Sequence, residues 1–191
     1  TLESAAEMER AFGIPSIADH YTQIASAIRG TIREKYWDAT RGLFADTYDH
    51  RSFSQHVNSL AILAGIVTGE EATRVMERTL NDSSLIQATI YFRYYVHQAL
   101  KVAGMGDHLL DNLQIWRDQM ALGLTTWAEM PEPTRSDCHA WGASPNIEFF
   151  RILLGIDSNA PGFKSIRIAP SLGDLKEVSG TMPHPVGSVT A

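Results

Sequence analysis

Cysteine is nearly absent from this chain: Cys138 is its one thiol, so no intramolecular disulfide can form and cysteine usage gives no sign of an oxidising compartment. Long apolar runs are missing as well. No stretch approaches the ~20 residues that a membrane-spanning helix needs. Lysine and arginine form no block and the formal net charge is -6, which argues against nucleic acid as the main partner, because phosphate binding wants a concentrated basic surface. The first residues, Thr1-Leu2-Glu3-Ser4-Ala5, have neither an initiator Met nor a signal-peptide pattern, so the natural N-terminus is expected upstream. What is present is the makeup of a globular protein: 191 residues, 44% hydrophobic and 20% charged, enough for one substantial core or for one domain and part of another.

Helical periodicity dominates the first three quarters. Residues 16–37 place Ile17, Tyr21, Ile24, Ala25, Ile28, Ile32 and Tyr36 at steps of three and four, with Ser16 as N-cap. After a turn-rich segment at 37–46, a second helix is expected over 54–66 with Val57, Leu60, Ala61 and Ala64 on one side. A short polar helix follows at 70–80, then a longer one at 85–103 that closes at Gly104. Another is expected over 107–122, with Leu109, Leu110, Leu113, Trp116 and Met120 facing inward. Five or six helices with short links point to antiparallel hairpins packed in layers. Ser144-Pro145 has the form of an N-cap followed by proline at the first helical position, opening a helix that stops at Gly155.

Beyond Gly155 the period changes. Residues 164–169 alternate, 177–182 alternate more weakly around Gly180, and 186–190 make a third short strand. Three strands with free edges are too few for an independent sheet, so the reading is a β segment cut short. The shift from helical to strand period, and the lack of an internal repeat, disfavour a helical-repeat scaffold.

Between these regular parts, residues 125–141 lack apolar periodicity and gather carboxylates, an Arg, a His and two Trp between prolines. Such residues handle protons and stack on ring-shaped ligands. Glu129 and Glu132 are the candidate acid or base groups, each beside a proline that limits backbone freedom. Arg135 can pair with either carboxylate or clamp an anionic or hydroxyl-rich ligand. Trp127 and Trp141 read equally well as core aromatics or as stacking surfaces, and His139 as a structural histidine or a ligand contact. Asp137-Cys138-His139 is a poor metal site, because adjacent side chains diverge and no second His or Cys pair stands at metal spacing. Cys138 with His139 as its base is a poor nucleophile pair for the same reason of direction.

Thr125-Thr126-Trp127-Ala128-Glu129, the run Glu132-Pro133-Thr134-Arg135-Ser136-Asp137-Cys138-His139-Ala140-Trp141 and the helix Ser144-Pro145-Asn146-Ile147-Glu148-Phe149-Phe150 together resemble bacterial α-L-rhamnosidases of glycoside hydrolase family 78. Further similarity lies in Leu154-Gly155-Ile156, Pro161-Gly162-Phe163 and Ile166-Arg167-Ile168-Ala169-Pro170, and upstream in Trp37-Asp38, Gly42-Leu43-Phe44, Ser54-Gln55-His56-Val57-Asn58 and Tyr91-Phe92-Arg93-Tyr94-Tyr95.

The resemblance implies a mainly α chain. Residues 1–155 would be the C-terminal portion of an (α/α)6 barrel of antiparallel helical hairpins, and 156–191 the beginning of a truncated C-terminal β-sandwich. It also implies hydrolysis of terminal α-L-rhamnosides with inversion, without metal or organic cofactor. The general base maps onto Glu129, with Glu132 as the alternative, and Trp127, Arg135, His139 and Trp141 become substrate-binding residues. The general acid has no counterpart in residues 1–191, so the chain on its own is expected to be inactive, and to associate with itself through exposed helix faces. The competing reading is a non-catalytic carbohydrate-binding or helical interaction module, in which the two Trp stack on a sugar and the carboxylates only accept hydrogen bonds from hydroxyls.

Overall fold

A computed structural model describes all residues, 1–191, and the chain divides into two compact units, Thr1–Ile86 and Gln87–Ala191. It is mainly helical, with three separate two-stranded antiparallel pairs. No helix is long and apolar enough to cross a membrane.

In the first unit, α1 (Leu2–Phe12) and α2 (Pro15–Tyr36) form an antiparallel hairpin across a two-residue link. Its contact face carries Ala6, Ala18 and Ala25, small side chains that let the two backbones approach. Cross-links fix the direction: Glu3 pairs with Arg29 at one end, and Arg10 Nη2 donates to Thr22 Oγ1 at 2.8 Å at the other. Pro15 opens α2 with its fixed φ, so the cap is Ile14 and not Ser16. The expected stripe is there, but of its members only Ala25 is buried and Ile28 is exposed.

A tight hairpin follows, β1 (Trp37–Asp38) against β2 (Leu43–Phe44), with Trp37 opposite Phe44. Asp38 Oδ1 holds the turn by accepting from Thr40 N at 2.9 Å, Thr40 Oγ1 at 2.5 Å and Arg41 N at 3.1 Å. Next come α3 (Gln55–Leu63) and α4 (Gly69–Asn81), packed together. The buried face of α3 is not the apolar one expected. Leu60 is 46% exposed and Ala64 is exposed, whereas Gln55, Asn58, Ser59, Ala61 and Ile62 are buried. Hydrogen bonding decides the orientation. Asn58 Oδ1 accepts from Phe44 N at 2.8 Å, and its Nδ2 donates to Phe44 O at 3.0 Å and Ser54 O at 2.9 Å, while Gln55 Nε2 donates to Thr79 O at 3.2 Å. An amide that satisfies a buried backbone edge outweighs the modest gain of turning one more aliphatic side chain inward.

The second unit begins with α5 (Ile90–Val102), five residues later than its periodicity suggests. In the first unit, Ile86 is tied up as an extended residue that bridges Ser54, with Ile86 N donating to Phe53 O and Gln55 N donating to Ile86 O. The expected helix at 107–122 is two short 3₁₀ turns, Gly106–His108 and Leu110–Leu113, leading into α6 (Gln114–Ala121). Leu109, Leu113 and Trp116 face inward as expected, but Met120 is 64% exposed. After the polar loop, a 3₁₀ turn at Ala140–Ala143 leads into α7 (Pro145–Glu148), which widens into a π turn at Phe149–Leu153. Ser144 stands at the N-cap position without making the cap hydrogen bond.

Strand β3 (Ile156–Ser158) was not apparent from the alternation; it pairs with β4 (Ile166–Ile168), Ile156 opposite Ile168. Strand β5 (Thr181–His184) begins near the end of the weak 177–182 pattern and pairs with β6 (Gly187–Thr190). Gly155 joins the π turn to β3 at φ +68°, against the Ala169 carbonyl, where a Cβ would collide. Leu154, Ile156 and Val189, with Phe150, Val178 and Met182 around them, pack the strands onto the helical part.

Candidate functional site

The loop 125–141 is built on the α5 and α6 scaffold rather than free of it. Trp116 of α6 packs with Ile90 and Leu113, and Trp127 lies against that cluster. The Trp116 indole Nε1 donates to Gly142 O at 2.6 Å, and Gly142 is pressed so closely on Trp127 that a Cβ there would clash. Gln119 Oε1 accepts from Ala128 N at 2.9 Å, which ties the loop's first strand to α6. The loop then closes on itself: His139 N donates to Trp127 O at 2.8 Å, Glu129 N to Ser136 O at 3.0 Å and Thr126 Oγ1 to Asp137 O at 2.5 Å. Residues 130–135, with a cis Glu132-Pro133 bond, form the tip.

These ties present Glu129 at the base of an open groove lined by Thr89, Tyr91, Glu129, Met130 and Trp141. Its volume is about 520 Å³, within the ~300–1,000 Å³ span of small-molecule sites. Trp141, 43% exposed, meets the Tyr91 ring edge-on at 5.6 Å, and His139 lies at 4.3 Å from it on the loop side. The His139 Nδ1 is buried without a hydrogen-bond partner. Such a wall offers flat apolar faces beside a carboxylate, the combination that suits the CH face and hydroxyls of a ring-shaped polyol.

Arg135 returns from the loop tip to Glu129. Its Nε donates to Glu129 Oε2 at 2.6 Å and its Nη2 donates to Oε1, a two-point clamp on both carboxylate oxygens. The Glu129 side chain is 10% exposed, and that of Arg135 is 76% exposed. The Arg135 hydrogen bonds hold the Glu129 carboxyl below its ordinary range against a smaller opposing effect of desolvation, with the Arg135 and His139 charges adding to the lowering.

Of the six residues singled out from sequence, Glu129, Arg135, His139 and Trp141 therefore converge. Trp127 supports them from below by packing on the core. Glu132 points elsewhere: it lines a second, apolar groove with Ile115, Leu122, Leu124 and Pro131, and its Oε2 accepts from Thr134 N at 3.3 Å. Cys138 is an exposed free thiol, and no group of three or more His, Cys, Asp or Glu side chains is arranged to hold a metal.

Sequence reasoning missed one pair beneath the site. His97 of α5 and Glu148 of α7, both fully buried, meet at 2.7 Å between Nδ1 and Oε2, and the His97 ring lies 5.6 Å from Trp116. Each was visible as a lone ionisable residue among apolar helix neighbours, but only the fold brings residues 51 positions apart together.

This architecture recurs in solved structures. The chain superposes on a GH78 family rhamnosidase of Bacillus sp. GL1 with a TM-score of 0.86 and 26% identity, over 99% of this chain and 22% of that one. The chain has the fold of a segment of a GH78 family rhamnosidase. A rhamnosidase from Klebsiella oxytoca with rhamnose bound gives a TM-score of 0.70 and 21% identity over 78% of this chain and 31% of the other. The α-L-rhamnosidase from Dictyoglumus thermophilum gives 0.80 and 19% over 99% and 22%. The chain thus spans less than a third of the length of each rhamnosidase. No family model matches the chain, and no curated protein does.

Proposed function

We propose that this chain supplies one wall of the active site of an inverting glycosidase acting on terminal α-L-rhamnosides, with Glu129 as the general base. The observation that carries the reading is a single carboxylate, Glu129, set in a groove walled by Trp141 and Tyr91, in a chain that matches a GH78 family rhamnosidase over 99% of its length. On this reading the sugar ring lies against the aromatic wall, Arg135 and His139 contact hydroxyls at the rim, and water stands between Glu129 and the anomeric carbon. Glu129 accepts a proton from that water as oxygen attacks, while the glycosidic oxygen leaves from the opposite face and is protonated there.

Inversion requires a second carboxyl group roughly 6.5 to 9.5 Å from the base, so that the water fits between. Glu132 faces a different groove, and Glu148 is fully buried against His97, so neither suits the role. The general acid is assigned to sequence outside these 191 residues. In domain terms, residues 1–155 are read as part of an (α/α)6 barrel and 156–191 as the opening of a β-sandwich.

The test uses the protein that carries this chain and an aryl α-L-rhamnoside, with the anomer of the first-formed sugar followed by NMR. The reading expects release of the inverted β-anomer, and loss of turnover in Glu129→Gln with sugar binding retained. Turnover lost in Glu132→Gln and kept in Glu129→Gln would overturn the base assignment. A second reading, a non-catalytic carbohydrate-binding module, draws support from the same solitary carboxylate. Rhamnose binding without hydrolysis would establish it.

A further inference from the structure

The clamp on Glu129 poses a chemical problem for the base role just proposed, and the inference rests on that role. A carboxylate that takes a proton from water needs a lone pair directed at the water. Here Arg135 occupies both oxygens, through Nε on Oε2 and Nη2 on Oε1. The two partners differ in freedom. Glu129 is nearly covered and its backbone is held to Ser136, whereas Arg135 is three-quarters exposed, on the far side of the proline-bearing tip. Any rearrangement that frees an oxygen is therefore a movement of Arg135.

We propose that Arg135 is a displaceable cap on Glu129: it holds the carboxylate ionised and oriented in the empty site, and yields one oxygen when a sugar enters the groove. Arg135 is thus a positioning residue acting through Glu129. Its five donors suit both states, since a guanidinium that releases one carboxylate oxygen can keep the other and turn its remaining N–H groups to sugar hydroxyls. The groups around Glu129 agree with this division. Its own loop brings Arg135 and His139, α5 brings the uncharged Tyr91 and α6 approaches through Gln119, so Arg135 is the permanent positive charge in contact with it. The same contact holds the Glu129 carboxyl below its ordinary range, which keeps the base unprotonated in mildly acidic solution.

A base must be ionised to act, so the acid limb of the kcat/KM profile reports its protonation in the free enzyme. Removing Arg135 raises the proton affinity of Glu129 and moves that limb to higher pH. The experiment measures pH profiles of rhamnoside hydrolysis for the protein that carries this chain, for Arg135→Gln and for Arg135→Lys. The expected result is an acid limb displaced upward in Arg135→Gln, with about tenfold loss of kcat/KM on that limb for every pH unit it moves. The plateau at higher pH changes far less. In Arg135→Lys, which keeps the charge but not the fork, the limb lies between the other two.

An acid limb that stays in place in Arg135→Gln overturns the cap. So does a uniform loss at every pH carried by KM alone, which would make Arg135 a plain substrate contact. Failure of the base assignment looks different: the unsubstituted protein shows no hydrolysis, or Glu129→Gln keeps it, and the cap falls with it.

Discussion

Two regions of this molecule gather polar side chains around irregular backbone, and they do so to opposite ends. At the start of α3, Asn58 is fully buried and each of its amide groups is spent on backbone, joining Phe44 and Ser54. At residues 125–141 the backbone is closed by its own hydrogen bonds and by Gln119 and Trp116, which leaves Glu129, Arg135 and Trp141 to face a groove. In sequence both are short polar motifs beside apolar helices. What separates them is who satisfies the backbone. Where a polar side chain does it, that side chain is structural; where scaffold residues do it, the loop's own side chains are released for chemistry.

The sharpest way to break this contrast is to neutralise one residue of each kind. Glu129→Gln keeps the shape and a hydrogen-bond acceptor for Arg135 but removes the base. A general base contributes roughly 10² to 10⁴ in rate, so kcat of the protein that carries this chain should fall by about that factor while its melting temperature stays nearly level. A large loss of stability in this variant would place Glu129 with Asn58 on the structural side.

Next in size is the buried His97–Glu148 pair. His97→Leu leaves Glu148 in a closed interior, where Oε1 already lacks a partner. Breaking a buried pair from one side costs about 3–5 kcal/mol, whereas replacing both partners with apolar groups of similar volume is often near neutral. Urea unfolding of His97→Leu, Glu148→Leu and the double variant should therefore show two costly single changes and a double variant less destabilised than their sum. Additive losses would mean that the pair is not coupled.

Asn58→Leu should cost less, about 1–3 kcal/mol, because it strands the buried Phe44 N–H and C=O without charging the core. The measurement is again the shift of the unfolding midpoint, with activity at saturating substrate unchanged. If Asn58→Leu instead stabilised the protein, the apolar face expected for α3 would have been the better one after all.

How much of this was legible before the fold was known follows the same division. Helices specified by their own apolar stripe were readable to within a residue or two, such as α2, expected over 16–37 and found at Pro15–Tyr36, and α4, expected over 70–80 and found at Gly69–Asn81. Errors fall where a tertiary hydrogen bond overrides local pattern. The face of α3 follows Asn58, residues 85–89 are held back from α5 while Ile86 is pinned to Phe53 and Gln55, and the 107–122 helix is tightened into 3₁₀ turns where Gly106 packs on Ile152 and Ser171. The loop showed its chemistry in its composition. Its geometry was not readable, because nothing local says that Arg135 turns to Glu129 rather than to Glu132, or that His97 meets Glu148.

The smallest expected effect sharpens the comparison at the hairpin that Asn58 supports. Asp38 is lowered from 3.8 to about 2, chiefly by the Thr40 hydroxyl and then by the Arg41 backbone N–H, with burial opposing and Thr40 N and His50 assisting. Its folded pKa lies below its unfolded one, so its contribution to stability is complete above the unfolded value, near 4, and is lost as pH falls from there toward 2. Asp38→Asn removes that dependence. The difference in unfolding midpoint between the unsubstituted protein and the variant should hold constant from neutral pH to about 4 and shrink toward zero by about 2. A difference that instead grew on acidification would mean that Asp38 is stabilised in its protonated form, and that the turn is held by the Thr40 and Arg41 backbone rather than by a carboxylate that accepts from them.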